Sequence, residues 1–106
     1  MSAGITKDTD HVLCEIYAEF LTRRKNGDSK SMAKDFGPSE ALQQEFLSYF
    51  PVSDIDDALH ELRDAGLIKM YIDGSFTLLD DAIIYMENRF KNGAKELASF
   101  LAQFIP

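Results

Sequence analysis

Three side chains with helical spacing are the first candidates for chemistry. Asp56, His60 and Asp64 follow one another at intervals of four residues, and carboxylates and imidazoles are common metal ligands. An α-helix rises 5.4 Å per turn, so at most two of the three could reach a single ion. A solvated polar face is therefore the preferred interpretation, and the sequence predicts no metal site here.

His11 and Glu15 form a second pair with the same spacing. Such a pair on a helix predicts a surface ion pair worth a few tenths of a kcal/mol rather than a reactive centre. Cys14, the single cysteine, lies on the edge of an apolar stripe and is expected to be a small core residue, because no neighbouring pattern would activate its thiol.

The sequence contains none of the common catalytic or cofactor motifs. It has no glycine-rich dinucleotide or phosphate loop, no CxxC pair and no nucleophile elbow. The expectation is a chain without catalytic residues and without a cofactor, so its function is expected to be non-enzymatic.

Length and composition indicate a single domain. The 106 residues carry a net charge of −7, and one cysteine cannot form an internal disulfide. No apolar run approaches the ~20 residues of a membrane span, and the N-terminus lacks the apolar core of a secretory signal. A cytoplasmic protein that does not enter a membrane is expected.

The segment 53–66 predicts the central helix of the chain. Ser53 followed by Asp56 matches a capping box, in which a hydroxyl and an acid satisfy the first turn. An apolar stripe repeats at helical spacing through the segment, and Gly66 follows as a left-handed cap. The stripe consists of Ile55, Leu59 and Leu62.

Residues 67–79 predict a β-hairpin directly after that helix. Two short apolar runs flank Asp73-Gly74, which is a strong two-residue turn signal. With a two-residue turn, Tyr71 lies opposite Phe76 and Met70 lies opposite Thr77.

Three further helical segments surround this unit. A first helix is predicted over 9–26, starting at Thr9 or Asp10, and a second over 39–50, capped by Ser39 with Tyr49 and Phe50 turned inward. Residues 80–105, capped by Asp80 or Asp81, form the C-terminal helical segment, either one helix or two divided at Gly93. For 28–38 two interpretations stay open: one helical turn, or a short strand that pairs with the hairpin.

The order helix, sharp glycine exit and hairpin resembles the recognition helix and wing of the winged helix-turn-helix superfamily. The resemblance covers residues 9–90, and the matching positions are Leu59, Leu62, Ala65, Gly66, Leu67 and Ile68. It implies a mainly α fold with a small β-hairpin, here with an additional C-terminal helix. It also implies DNA as the first candidate ligand, with the third helix in the major groove and the wing beside it.

The charge distribution argues against that ligand. Residues 36–66 contain seven acidic side chains and only Arg63 as a base, whereas non-specific DNA affinity depends on Lys and Arg at phosphates. The sequence therefore favours a regulatory or protein-interaction domain that binds an unidentified protein partner, with a DNA-binding transcriptional regulator as the alternative. The residues expected to face a partner from the third helix are Asp56, Asp57, His60, Glu61, Arg63 and Asp64.

A basic cluster near the end of the first helix keeps the DNA alternative open. Its side chains either contact phosphates, or they only interact favourably with the helix dipole and with surrounding water. Its members are Arg23, Arg24, Lys25, Lys30 and Lys34.

The C-terminal helical segment carries an apolar stripe that needs a surface to cover. It packs either on the first helix or on the same helix of a second copy, and a homodimer is the favoured expectation because two-fold pairing is the commonest assembly. The expected interface consists of Leu97, Phe100, Leu101, Phe104 and Ile105.

Overall fold

The structure is a computed structural model that describes residues 4–104. Within that range the chain is mainly helical with one small antiparallel sheet, and no helix there is long and apolar enough to cross a membrane. The elements, in chain order, are α1 (Lys7–Lys25), α2 (Lys30–Ala33), β1 (Asp35–Phe36), α3 (Ser39–Glu45), α4 (Val52–Asp64), β2 (Ile68–Met70), β3 (Phe76–Leu78), α5 (Asp80–Arg89), α6 (Ala94–Leu101) and a 3-10 turn (Ala102–Phe104).

Helix α1 begins two residues before the predicted start. Its N-cap is Thr6, whose hydroxyl accepts a hydrogen bond from the Thr9 backbone N–H at 3.3 Å, so neither Thr9 nor Asp10 is the cap. The Thr6 backbone N–H in turn donates to the Glu61 carboxylate of α4. The earlier start therefore depends on a contact with a helix distant in sequence.

Residues 28–38 contain both structures between which the sequence could not decide. Ser29 caps the single turn of α2, and the chain then extends into the two-residue strand β1. Strand β1 pairs antiparallel with β3, with Asp35 opposite Thr77 and Phe36 opposite Phe76.

Helix α3 is shorter than the predicted helix 39–50, because it ends at Glu45. The Leu47 backbone N–H turns back to the Leu42 carbonyl at 2.8 Å, which buries the Leu47 side chain completely. Tyr49 is consequently 67% exposed, so the prediction that it turns inward was wrong. Ser39 does not cap the helix either: the N-cap is Pro38, and the Ser39 hydroxyl donates to Asp56 Oδ1 at 3.2 Å.

Helix α4 has the predicted apolar stripe, since Ile55, Leu59 and Leu62 are fully buried. Its ends differ from the predicted 53–66. Pro51 is the N-cap and Ser53 makes no side-chain cap, so the capping box is wrong; the Pro51 carbonyl accepts from the Asp54 and Ile55 backbone N–H groups at 3.0 and 3.1 Å instead. At the other end Gly66, at φ +78°, allows the chain to reverse.

The sheet has the strand order β1-β3-β2, and its hairpin register differs by one residue from the prediction. Met70 lies opposite Phe76, and Lys69 opposite Thr77. The reason is a longer turn: the Gly74 N–H donates to the Tyr71 carbonyl, and Gly74 adopts φ +87°. This is the geometry of a turn followed by a glycine bulge, which the same Asp-Gly pair also permits.

The C-terminal segment is two helices rather than one. Helix α5 is capped by Leu79 rather than by Asp80 or Asp81, and Gly93, at φ +73°, separates it from α6. Helix α6 packs on α1 and places Leu97 in the core at 1% exposure. The whole arrangement is compatible with a winged-helix layout.

Candidate functional site

The exposed side of α4 brings together only part of the predicted set. His60 Nδ1 lies 2.8 Å from the Asp56 backbone carbonyl oxygen and 3.6 Å from Asp56 Oδ2. A carbonyl oxygen can only accept, so a hydrogen bond at this distance requires the tautomer with a proton on Nδ1. Asp64 instead accepts two hydrogen bonds from Arg63, at 3.0 and 3.1 Å. Asp56 and His60 are therefore a pair, and Asp64 belongs to a separate ion pair.

Glu61 is partly exposed and contacts the N-terminal end of α1. Its carboxylate accepts from the Thr6 backbone N–H, and its Oε2 lies 3.4 Å from the Thr6 hydroxyl. Glu61 therefore holds the first turn of α1 against α4.

The first half of α4 carries negative charge that no Lys or Arg among the described residues neutralises. Asp54 and Asp57 are exposed, and their carboxylates form no ion pair with the described residues. Asp56 accepts from the Ser39 hydroxyl but has no Lys or Arg within 4 Å in the described chain. Three carboxylates thus share one exposed helix surface.

The turn between β2 and β3, residues 71–75, which we call the wing tip, lies next to that surface. A Cβ built on Gly74 would approach Pro38 Cβ to 3.2 Å, so the turn packs against the start of α3, whose Ser39 in turn contacts Asp56. The tip contributes Asp73, whose pKa is lowered by hydrogen bonds from the hydroxyl and backbone N–H of Ser75.

We define the acidic face as the exposed carboxylates on these two neighbouring elements. The exposed Ile72 is next to Asp73 in sequence, at the tip of the wing. The members of the acidic face are Asp54, Asp56, Asp57 and Asp73.

Arg23 of the basic cluster is used inside the fold. Its Nε lies 3.1 Å from Glu19 Oε2, and its Nη1 donates to the Asp35 backbone carbonyl at 2.6 Å. The guanidinium also lies 4.2 Å above the centre of the Phe36 ring. These three contacts fix Arg23 between α1 and β1 and leave it little freedom to reach a phosphate.

Lys30 and Lys34 share one carboxylate. Their ammonium nitrogens lie 3.4 and 3.1 Å from Asp80 Oδ1, and these hydrogen bonds lower the pKa of Asp80. Arg24 donates to the Asp28 backbone carbonyl at 3.0 Å, and Lys25 makes no ion pair with the described residues. The cluster is therefore divided among several partners and does not form one free positive surface.

The described residues of the predicted dimer interface pack within their own chain. Leu97 is in the core, and the half-buried Phe100 ring lies 5.6 Å from Phe90. Phe104, 46% exposed, stacks on His11 with ring centres 3.9 Å apart. Leu101 is half-buried, and Ile105 lies outside the described residues. Packing on α1 therefore occurs, and self-association through the remaining surface stays a prediction.

His11 and Cys14 are both largely enclosed by other side chains of the fold. The His11 ring lies between Phe50 and Phe104, and its side chain is only 12% exposed. The prediction that the pair lies on the surface was therefore wrong. Its Nε2 is still 3.4 Å from Glu15 Oε2. Cys14 is fully buried, as expected, and burial raises the pKa of its thiol to about 12.

One ion pair had no signal in the sequence. Arg89 of α5 donates two hydrogen bonds to the Asp10 carboxylate, at 2.5 and 2.9 Å, across 79 residues of chain. The same guanidinium lies over the rings of Phe90 and Phe100. This group joins α1, α5 and α6.

No protein-family model matches this chain, and no characterised protein or solved structure is significantly similar to it.

Proposed function

We propose that this chain is a non-enzymatic protein-interaction domain with a winged-helix layout, and that the acidic face binds a basic segment of a protein partner. The observation that carries the proposal is the exposed negative surface on α4 and the wing tip, where Asp54 and Asp57 have no basic partner among the described residues.

Electrostatics support a basic partner at this position. An exposed cluster of one charge sign steers an oppositely charged partner and favours its association. Asp56 and Asp73 are held in place by Ser39 and Ser75, so part of the negative charge is already oriented before binding. Ile72, fully exposed at the wing tip, offers an apolar contact beside the charges.

The layout itself supports assigning the surface to this role. In the winged-helix family the helix in the position of α4 and the adjoining wing form the contact surface. Here α4 leads through Gly66 into the hairpin, and β1 completes the sheet beside it. The proposal therefore keeps the family's surface and changes the class of its ligand.

The contacts of the basic cluster weigh against DNA, which is the alternative function. Binding to phosphates releases counterions only where Lys and Arg are free to approach them. Arg23 is stacked on Phe36, and Lys30 and Lys34 are paired with Asp80. Duplex binding through Arg23, Lys30 or Lys34 would require these contacts to break while the acidic face repels the backbone.

The candidate catalytic groups also support a binding role rather than catalysis. The Asp56–His60 pair lies on an open helix surface, whereas His11 is enclosed by two phenylalanine rings. The thiol of Cys14 is protonated at neutral pH because its pKa is raised by burial.

Binding of a lysine-rich peptide tests the proposal. We expect the wild-type chain to bind it at low salt, and Asp54→Asn with Asp57→Asn to weaken binding about tenfold, as the loss of two exposed ion pairs predicts. The matched control is Asp8→Asn with Asp81→Asn, which changes the net charge equally at two exposed sites outside the face. Equal weakening by both double variants would contradict a specific surface.

A further inference from the structure

A shallow apolar groove runs between α1 and α6, on a part of the surface separate from the acidic face. Its volume is about 430 Å³, and small or aliphatic side chains make most of its wall. The residues that matter for its shape are Ala18, Leu21, Ala94, Ala98 and Leu101.

The two helices that form the groove run in opposite directions. Phe104, just after α6, stacks on His11 near the start of α1, while Ala94 at the start of α6 shares the groove with Lys25 at the end of α1. The stretch from Ala94 to Leu101 spans about 10 Å, or two helical turns. Because Ala94 and Ala98 are small and exposed, a third helix can approach the pair closely.

The end of the groove at Lys25 is positively charged. Lys25 lines it, is exposed and makes no ion pair with the described residues. This corner is cationic although the chain as a whole carries −7.

We infer that this groove binds the apolar face of an acidic amphipathic helix from another protein, with carboxylates of that helix at the Lys25 end. An amphipathic helix presents apolar residues at intervals of three and four, which suits a groove two turns long. A carboxylate on that helix would pair with Lys25, which fixes its direction along the groove.

The acidic helix α4 of a second copy does not fit the groove, because its Ile55, Leu59 and Leu62 are fully buried in its own core. Helix α6 of a second copy has Leu97 buried, and Phe100 and Leu101 are packed against its own core, so it offers less free apolar surface than an unattached helix. A partner with a free amphipathic helix therefore fits the groove better. This inference does not depend on the function proposed for the acidic face, which attracts the opposite charge.

Two synthetic helical peptides test the inference. One carries a leucine stripe with glutamates on the other positions, and the other has lysine at every glutamate position. We expect the glutamate peptide to bind at micromolar concentration and to shift the amide resonances of Ala18, Ala98 and Leu101, despite the negative charge of the protein. Lys25→Glu should weaken that binding about fivefold or more, by the loss and reversal of one ion pair.

The matched controls separate the groove from charge in general. Lys95→Glu makes the same charge change on α6 at a position that does not line the groove, and it should leave binding unchanged. Ala98→Glu places a charge in the groove at an exposed position, where folding is retained, and should abolish binding.

Three results would overturn the inference. They are failure of the glutamate peptide to shift the groove resonances, equal or tighter binding of the lysine peptide at the same resonances, and a wild-type dimer in sedimentation that Ala98→Glu dissociates. The last result would assign the groove to a second copy. Binding of a lysine peptide at the acidic face is read from different resonances, so the two proposals fail separately.

Discussion

Lys34 and Asp80 are joined by a hydrogen bond of 3.1 Å between Nζ and Oδ1, although 46 residues separate them. Lys30 approaches the same oxygen to 3.4 Å. One carboxylate at the start of α5 thereby holds two of the five cations that the DNA alternative would need for phosphates. The relationship ties α2 to α5 and reduces the free positive charge of the surface at the same time.

Asp80 should make the free energy of unfolding depend on pH. Hydrogen bonds from Lys34 and Lys30 lower its pKa below the ordinary value of 3.8, so its stabilising effect is present at neutral pH and is lost as the pH falls through the lowered pKa. We expect Asp80→Asn to reduce the urea midpoint at pH 7, and the difference from wild type to shrink towards pH 2. Urea unfolding followed by circular dichroism at both pH values measures it.

Asp81→Asn is the matched control for that measurement. Asp81 is exposed in the same first turn of α5 and makes no ion pair with the described residues, but it shares the helix dipole. If both variants lower the midpoint at pH 7 equally, the lysine contacts of Asp80 contribute nothing beyond the dipole.

Arg89→Lys should lower the free energy of unfolding by about 2 kcal/mol. Lysine keeps the charge but cannot donate both hydrogen bonds to Asp10, nor lie flat over Phe90 and Phe100. The double variant with Asp10→Asn should be less destabilised than the sum of the single ones, since both remove the same contact. Additive losses in chemical denaturation would show that the pair is not coupled.

Gly74→Ala tests the packing of the wing tip on α3. Gly74 and Gly66 both have positive φ, at +87° and +78°, but only at Gly74 would a Cβ meet another residue, Pro38 at 3.2 Å. Each alanine should cost about 1–2 kcal/mol of backbone strain, and Gly74→Ala about 1 kcal/mol more from the contact. Equal losses in the two variants would mean that the wing tip does not rest on Pro38.

Cys14 should be inert towards thiol reagents in the folded protein. Full burial and a pKa raised to about 12 leave almost no accessible thiolate at pH 8. We expect labelling by a maleimide to require unfolding and to become fast in 8 M urea. In Ser53→Cys, the thiol introduced at this exposed position should label within minutes without urea. Rapid labelling of the native wild type would contradict the buried position.

The periodic parts of the fold could be predicted from the sequence. Ile55, Leu59 and Leu62 repeat at helical spacing, and Gly66 supplies a conformation that few other residues adopt, so the stripe and exit of α4 were identified correctly. The ends of the helices were harder to predict from the sequence, because tertiary contacts determine where they fall. Thr6 caps α1 while it contacts Glu61, and no pattern in the neighbouring sequence indicates that contact.

The register of the hairpin and the pairing of the Lys and Arg side chains depend on contacts between residues distant in sequence. Asp73-Gly74 suits both a two-residue turn and a turn with a glycine bulge, and packing of Gly74 on Pro38 accompanies the second. Likewise, a cluster of lysines and arginines in sequence does not reveal which of them pair internally. Arg23 and Lys34 look equally free in sequence, yet both have partners on other elements.

Titration with duplex DNA and with a lysine-rich peptide, each at low and at moderate salt, tests the central claim most directly. If the acidic face binds basic protein segments, the peptide binds with micromolar affinity that weakens as salt rises, and a random duplex gives no salt-dependent signal. Micromolar duplex binding with a steep salt dependence, together with no binding of the peptide, would contradict the account.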